Sequence, residues 1–485
     1  MSNNLATRNI SKNISSCPGW PSLVGMNSSV LKLCEPFISP TYMQQAIASR
    51  NSCSNALIDL LAQRRIPDEG WSEEAIELFL REISLWDSNN FAGQSSVGER
   101  EGRCISGLVR RRYWKLIHGI GRSGDVNAEQ PKAAGSSFLL TLTKVLVHDA
   151  IKNVFGIRNV PKEVVVLPIA TGMAIMLGMT AISQSHRDSG RRNVIWSRID
   201  QKSCIKAMTA NPALVVHVVE QKIVDGCLAT DAGRISDLII SLGPETVHSV
   251  VLTTSTFAPR SPDDVPSVAR ICDSFNIPLL VNNAYGLQCS KCCHLVSEGM
   301  RVGRVDLVVQ STDKNFLVPV GGSILFGPLA GRVNQLYPGR ASLGPVLDLL
   351  ITLLEAGRAK LTQLLDCRKQ LLTYFRSELG KIPNIQILAN KTNQISLALT
   401  VPNCTEFLGS QLFLRNVSGV RVFVRSDAEK KIDEGISLVN FGCHTTHPLV
   451  DRYLNVACAL GITRMEIDLF VQRFKNLLGE GLSSQ

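Results

Sequence analysis

Apolar positions between residues 35 and 110 recur at helical spacing. In WSEEAIELFLREISLWD the residues Ile76, Phe79, Leu80, Ile83 and Trp86 fall on one stripe, which predicts an amphipathic helix packed by one face. Ser72 precedes it as a candidate N-cap, with Glu73 and Glu74 beside the positive helix end. NALIDLLAQRR reads as a shorter helix upstream, and residues 35–110 as a helical oligomerisation region. From about residue 137 to 327 the pattern changes. Short apolar runs (EVVVLP, NVIWS, LVVHVV, SVVLTT, PLLVNN, VDLVVQ, GGSILFG) alternate with helical stretches such as GRISDLIISL and VPSVARICDSF. That alternation predicts an α/β domain with a mostly parallel central sheet, spanning residues 111–345. A long helical stretch from Val346 to Leu379 links it to a smaller C-terminal α+β domain within 346–485. There NQISLALT and VRVFV read as strands, DRYLNVACALG and EIDLFVQRFKNLL as closing helices.

Composition narrows the class. No apolar run approaches the roughly 18 residues of a membrane span. Residues 1–34 are expected to be a disordered leader, since the first 30 are rich in Ser and Asn. The 14 cysteines of the chain lack framework spacing, which suits a reducing cytoplasm. CSKCCH (Cys289, Cys292, Cys293, His294) has one C-x-x-C pair and no second pair at finger-like distance, so no metal is expected. Lys and Arg exceed Asp and Glu by 51 to 41, a net charge of +10; the excess favours an acidic partner, with nucleic acid the leading candidate.

Candidate chemistry gathers at strand ends, where open α/β sheets place ligands. Lys314, in QSTDKNF, follows a buried-strand pattern. It reads either as a solvated surface charge or as a Schiff-base lysine for pyridoxal phosphate (PLP), its ammonium form disfavoured by burial. Asn282-Asn283-Ala284 and Ser311-Thr312-Asp313-Lys314 follow the order and spacing of the D-x-A and S-x-x-K motifs of the aspartate-aminotransferase fold (fold type I). Here asparagine replaces the usual aspartate. Asn282 can hydrogen-bond a pyridine nitrogen but cannot hold it protonated, a weaker electron sink that suffices for a good leaving group. The turn around Gly172 offers a strand-to-helix N-terminus for a phosphate. The loop HGIGRSGDVNAEQPKAAGSS supplies Arg122, Ser123 and Gln130, and YPGRAS supplies Arg340. These are the guanidinium, hydroxyl and amide groups that hold a phosphoryl group. SVGEREGR alternates acids and bases between glycines, either a solvated charge run or a loop approaching a ligand.

DSNNF, SVGEREGR, IHGIGRSGD, QPKAAGSS, RIDQKSC, VNNAYG, DKNFLVPVGG and YPGRAS together resemble the O-phosphoseryl-tRNA(Sec) selenium transferases, in register from about Glu35 to Phe474. The resemblance implies a PLP-dependent transferase that converts O-phosphoseryl-tRNA(Sec) to selenocysteinyl-tRNA(Sec) with selenophosphate, by β-elimination of phosphate and addition of selenium. It implies Lys314 as the cofactor lysine and the base for the α-proton, with Arg100 and Asn282 contacting the cofactor and Gln201 near its ring. Arg122, Ser123, Gln130 and Arg340 would hold the substrate phosphate. Glu99 would repel the α-carboxylate of free phosphoserine, a charge absent from the tRNA ester. Arg301 and Arg415 would contact tRNA. The family forms homotetramers whose N-terminal helices join dimers and whose sites form between chains; neither DNA nor membrane is implied. Two other readings are a cysteine desulfurase or lyase acting on a free amino acid, and a non-catalytic tRNA-binding scaffold. The absence of an obvious mobile cysteine loop weighs against the first, and retention of Lys314, Arg100 and the anion loop against the second.

Overall fold

The computed structural model describes residues 31, 33–186, 190–390, 392–401, 405–433 and 435–482. The expected leader lies outside these residues as far as position 30. Two helices open the described chain, α1 (Pro40–Gln63) and α2 (Glu73–Ser84). Ser72 caps α2 by accepting from the Ala75 amide at 3.3 Å, and Ile76, Phe79, Leu80 and Ile83 are buried. Trp86 differs from expectation: it is partly exposed and packs its ring against Phe138, with centroids 5.4 Å apart. Helix is interrupted before residue 110: residues 91–106 run as a loop in which Gly93 and Gly102 take positive φ and no apolar periodicity drives a helix, and only a short helix follows at Gly107–Arg112.

The large sheet contains β1 (Val164–Leu167), β2 (Asn193–Ser197), β3 (Val215–Val219), β4 (Val247–Thr253), β5 (Leu279–Asn282), β6 (Leu307–Ser311) and β7 (Ser323–Phe326). Their spatial order is β1-β7-β6-β5-β4-β2-β3. Pairing is parallel except at β7, which runs antiparallel to both neighbours. Every residue of β1, β4, β5, β6 and β7 is buried. Helices cover both faces, so these strands read as continuous apolar runs rather than alternating ones. The covering helices are α3 (Ala134–Asp149), α4 (Thr171–Ser185), α5 (Lys202–Thr209), α6 (Ala232–Leu242), α7 (Val265–Ser274) and α8 (Ser290–Val302).

After the short helix α9 (Thr312–Phe316), the helix α10 (Gly344–Gly380) runs out of this layer. It bends at Gly357, where φ is 59° and ψ is −176°. The kink has an identifiable cause. The loop before α2 crosses here and supplies substitute backbone bonds: Trp71 N donates to Leu354 O (2.8 Å), and Arg358 N donates to Pro67 O (2.8 Å). A Cβ on Gly70 would stand 1.9 Å from Glu355 O, so only glycine permits that approach.

The last region carries an antiparallel sheet of β8 (Gln386–Ile387), β9 (Ser396–Thr400), β10 (Arg421–Val424) and β13 (Arg452–Ala457), in the order β8-β9-β13-β10. A separate ribbon pairs β11 (Glu429–Asp433) with β12 (Ile436–Val439). Helices α11 (Leu408–Leu414) and α12 (Arg464–Leu482) close a second apolar core with Phe375, Leu399, Leu454 and Phe474. DRYLNVACALG is therefore a strand and not the expected helix. It pairs on both sides, with β9 and β10, and Tyr453 to Val456 are all buried; burial on both faces erases the alternation that would have signalled a strand. Among the described residues no helix is long and apolar enough to cross a membrane.

Candidate active site

Strands β5 and β6 are parallel neighbours, with Asn282 opposite Val309. Asn282 therefore stands at the carboxyl end of one strand, while Lys314 sits one turn beyond the end of the other. The turn is pinned. Asn315 Nδ2 donates to Ala284 O (2.8 Å) and Ser311 O (2.7 Å), and Gln288 Nε2 donates to Lys314 O (3.1 Å). The lysine amine donates to Ser311 Oγ at 3.1 Å and faces Asp313 at 3.4 Å. Its side chain is 44% exposed, so the burial expected for this amine is not met in the chain by itself.

Lys314 and Asn282 line one cavity of about 420 Å³ with Thr171, Gly172, Gln201 and Cys204. Helix α4 begins at Thr171, and its first amide groups have no intrahelical acceptor. Thr171 Oγ1 and Tyr285 Oη, both on the cavity wall, are buried without protein partners. A Cβ on Gly172 would meet nothing nearer than Ser203 Cβ at 3.5 Å, an ordinary contact, so packing alone does not require glycine there. Asn282 is almost wholly buried. Its Oδ1 accepts from Ala284 N (3.2 Å), and its Nδ2 donates to Cys204 Sγ (3.2 Å). The amide nitrogen is thus the face turned to the thiol and the cavity. Burial pushes the Cys204 thiol up to about 11, which keeps it protonated. An anion seat at a helix start, orphaned hydroxyls, an amide and a lysine amine in one cavity fit pyridoxal phosphate.

Beneath the cavity, Arg198 and Asp200 are fully buried and paired at 2.9 Å. Asp200 Oδ2 also accepts from the amides of Gly442 (2.7 Å) and His444 (2.8 Å). Arg198 donates to Glu220 (2.7 Å) and Val439 O (2.7 Å). The smaller region is thereby fastened to the end of β2, bringing Phe441 and Arg421 onto the cavity wall. Arg421 stacks over Phe257 at 3.9 Å. Sequence reasoning had not singled out Asp200, Lys202, Cys204 or Arg421. RIDQKSC, directly after NVIWS, could have pointed to the first three; nothing local marks Arg421.

The segments that carry the expected anion-holding residues lie side by side. Residues 120 and 341 form a bridge, and Arg340 Nη2 donates to His118 O. Gln130 Nε2 reaches Gly121 O at 3.5 Å. Arg122 pairs through its backbone with Asp125, and Ser123 holds a φ of 52°. Burial, and then Arg100, lower the affinity of Arg340 for its proton, which places Arg100 in the field of this cluster. Glu99 and Arg100 are exposed and 3.7 Å apart. Burial lowers the His118 pKa, with Arg340 adding to it; its Nε2 lies 3.1 Å from Ser88 Oγ. None of Arg100, Arg122, Ser123, Gln130 and Arg340 lines the cavity that holds Lys314. Elsewhere, Arg301 is exposed on α8 and pairs with Glu298 at 2.6 Å. Arg415 ends α11 and donates to Gln411 O at 3.2 Å. Among the described residues no group of three His, Cys, Asp or Glu side chains is placed to hold a metal.

Sheet order, the lysine beyond β6 and the helix-start anion seat define a fold type I PLP-dependent enzyme. A cysteine desulfurase from Thermococcus onnurineus shares this fold, with a TM-score of 0.53 at 12% identity over 76% of this chain and 90% of that one. The family profile described as O-phosphoseryl-tRNA(Sec) selenium transferase, SepSecS, matches residues 86–479, and the chain belongs to that family. The Dictyostelium discoideum O-phosphoseryl-tRNA(Sec) selenium transferase is 42% identical over 481 residues, covering 94% of this chain and all of the relative. An archaeal SepSecS crystal structure superposes with a TM-score of 0.82 at 28% identity, covering 91% of this chain and 98% of that one.

Proposed function

We propose that this chain converts O-phosphoseryl-tRNA(Sec) to selenocysteinyl-tRNA(Sec), with selenophosphate as the selenium donor and pyridoxal phosphate as cofactor. The observation that carries the reading is the separation of two half-sites. One chain presents a cofactor cavity with its lysine, and apart from it a guanidinium cluster suited to a phosphoryl group. A second copy, docking its cluster over the cavity, would complete the site. Exposed apolar side chains on and beside α1 (Phe37, Tyr42, Ile58) support an assembly through the N-terminal helices, here a homotetramer.

Thr171 and the first amides of α4 hold the cofactor phosphate, and the Asn282 amide holds its ring nitrogen. When bound, the cofactor supplies an electron sink for the pair released at the substrate Cα. Lys314 accepts the Cα proton. Arg122, Ser123, Gln130 and Arg340 orient the phosphoryl group and neutralise it as the Cβ–O bond breaks, so that phosphate leaves with that electron pair. The selenium of selenophosphate then bonds to the vacated Cβ, Lys314 returns the proton to Cα, and water cleaves the Se–P bond so that a second phosphate leaves and the selenol remains. Because phosphate is a good leaving group, a ring nitrogen that asparagine leaves unprotonated is sufficient. Arg100 supports the cofactor. Glu99 repels the α-carboxylate of free phosphoserine. Arg301 and Arg415 contact tRNA phosphates, which makes binding salt-dependent. The cytoplasm is the fitting compartment.

The test is turnover of phosphoseryl-tRNA with selenophosphate. Arg122→Ala should lower tRNA turnover at least about 100-fold while cofactor content stays within twofold. Parallel loss of both, or turnover of free cysteine without tRNA, would overturn the reading.

A further inference from the structure

The charges of SVGEREGR divide by direction. Glu99 and Arg100 stand out in solvent, with side chains 89% and 73% exposed, whereas the Glu101 side chain turns inward and is 5% exposed. A buried carboxylate is costly unless it is paired and hydrogen-bonded. Lys132 supplies both, its amine donating to Glu101 Oε1 in a charge-assisted bond. The loop is shaped around that carboxylate. A Cβ on Gly98 would stand 2.1 Å from Glu101 Oε1, so a larger residue there would push the oxygen off the amine. Arg103 closes the loop, donating to Gly98 O at 3.1 Å and Ser96 O at 2.6 Å. Gly102 packs on the His118 ring, where a Cβ would meet Cε1 and Nε2 at 3.1 Å.

Lys132 belongs to a different segment, the one that carries the expected phosphoryl-holding groups. Its carbonyl accepts from Ser88 N at 2.9 Å, and its amide donates to Gln130 Oε1 at 3.4 Å. Gln130 Nε2 in turn reaches Gly121 O at 3.5 Å, beside Arg122. His118, against which Gly102 packs, accepts the Arg340 bond at its carbonyl. A continuous series of bonds thus runs from the loop that presents Glu99 and Arg100, through Glu101 and Lys132, to Gln130 and the turn before Arg122. Neither Glu101 nor Lys132 lines the cavity that holds Lys314, so any effect on the reaction passes through the residues they hold.

We propose that Glu101 and Lys132 are positioning residues for the reaction. Their ion pair sets the loop bearing Glu99 and Arg100 against the segment bearing Arg122, Ser123 and Gln130, so that the charge that repels a free α-carboxylate and the groups that hold the phosphoryl meet the substrate as one rigid unit. The inference rests on the function proposed above and adds to it a specificity device: selection for the esterified substrate depends on a pair that touches neither substrate nor cofactor. Because the pair joins two loops of one chain, the unit is assembled before a second copy docks.

The test is steady-state turnover by full-length holoenzyme, measuring the KM for phosphoseryl-tRNA and the inhibition constant of free phosphoserine, with cofactor content and melting temperature recorded alongside. Glu101→Gln and Lys132→Met should each lower the ratio of that inhibition constant to that KM about tenfold, and the double variant should be no worse than either single one, since both remove the same interaction. Exchanging the charges, Glu101→Lys with Lys132→Glu, should restore the ratio to within about threefold of the parent. A merely structural role would lower melting temperature and cofactor content and leave the ratio unmoved. An unchanged ratio in either single variant, multiplied losses in the double variant, or no recovery on charge exchange would overturn the proposal while the parent's turnover upholds the function. A parent inactive on phosphoseryl-tRNA would overturn both.

Discussion

Replacing Arg198 with methionine tests the junction under the cofactor cavity. The substitution keeps much of the side-chain volume and removes the guanidinium, which makes hydrogen bonds to Asp200 at 2.9 and 3.2 Å, to Glu220 at 2.7 Å and to Val439 O at 2.7 Å. Asp200 would remain buried with only the Gly442 and His444 amides and no countercharge bonded to it. Burial pushes the Asp200 carboxyl up, and the paired Arg198 guanidinium with the Gly442 amide outweighs it and holds the carboxyl below its ordinary range. Breaking a buried ion pair from one side costs about 3–5 kcal/mol, a large share of the 5–15 kcal/mol typical of a folded chain. Arg198→Met should therefore lower unfolding stability by about 4 kcal/mol in guanidinium titrations; Trp196, fully buried two residues away on β2, serves as the fluorescent reporter. Arg198→Met with Asp200→Asn should be less destabilised than the two single changes summed, by at least about 1 kcal/mol, because the double variant strands no carboxylate. A loss under about 1 kcal/mol, or strict additivity, would refute the claim that this pair fastens the two regions.

Three further outcomes are expected. His248 and His444 are each held down to about 4 by burial, so both are neutral in the fold and take up protons more readily when unfolded. Their stabilisation is complete above about pH 6.5 and is lost as pH falls from there to about 4, up to about 3 kcal/mol for each; stability that is flat over this window contradicts the assignment. Gly70→Ala should cost at least about 2 kcal/mol, because the new Cβ meets Glu355 O at 1.9 Å and backbone must move; a melting temperature within one degree of the parent would show that the crossing at the helix kink is loose. Asn282→Asp should keep the cofactor and protonate its ring nitrogen, read as an upfield ring ¹⁵N shift in labelled holoenzyme; an unchanged shift would mean that this residue does not face the ring.

The strands of the large sheet were legible because they are short, apolar and bounded by turn residues; NVIWS was placed to the residue. The glycine-punctuated segment that carries Arg122, Ser123 and Gln130 was legible as a loop, and its phosphoryl-holding role is proposed. The central strand Arg452–Ala457 was not, since its partners β9 and β10 lie far away in sequence and burial on both faces leaves no alternation. Arg421 escaped for a related reason. It reaches the cavity only because the ion pair beneath it folds the smaller region onto β2, a long-range event that leaves no local pattern. The kink at Gly357 is likewise invisible in the even apolar spacing of α10 and is set by a loop nearly 290 residues earlier.

The central claim is a covalent bond between Lys314 and the cofactor aldehyde. Holoenzyme reduced with borohydride, digested and sequenced by mass spectrometry should carry the pyridoxyl group on the peptide containing Lys314, and Lys314→Ala should carry none. A pyridoxyl group found on Lys202, which borders the same cavity, or no modified peptide from fully loaded protein, would contradict it.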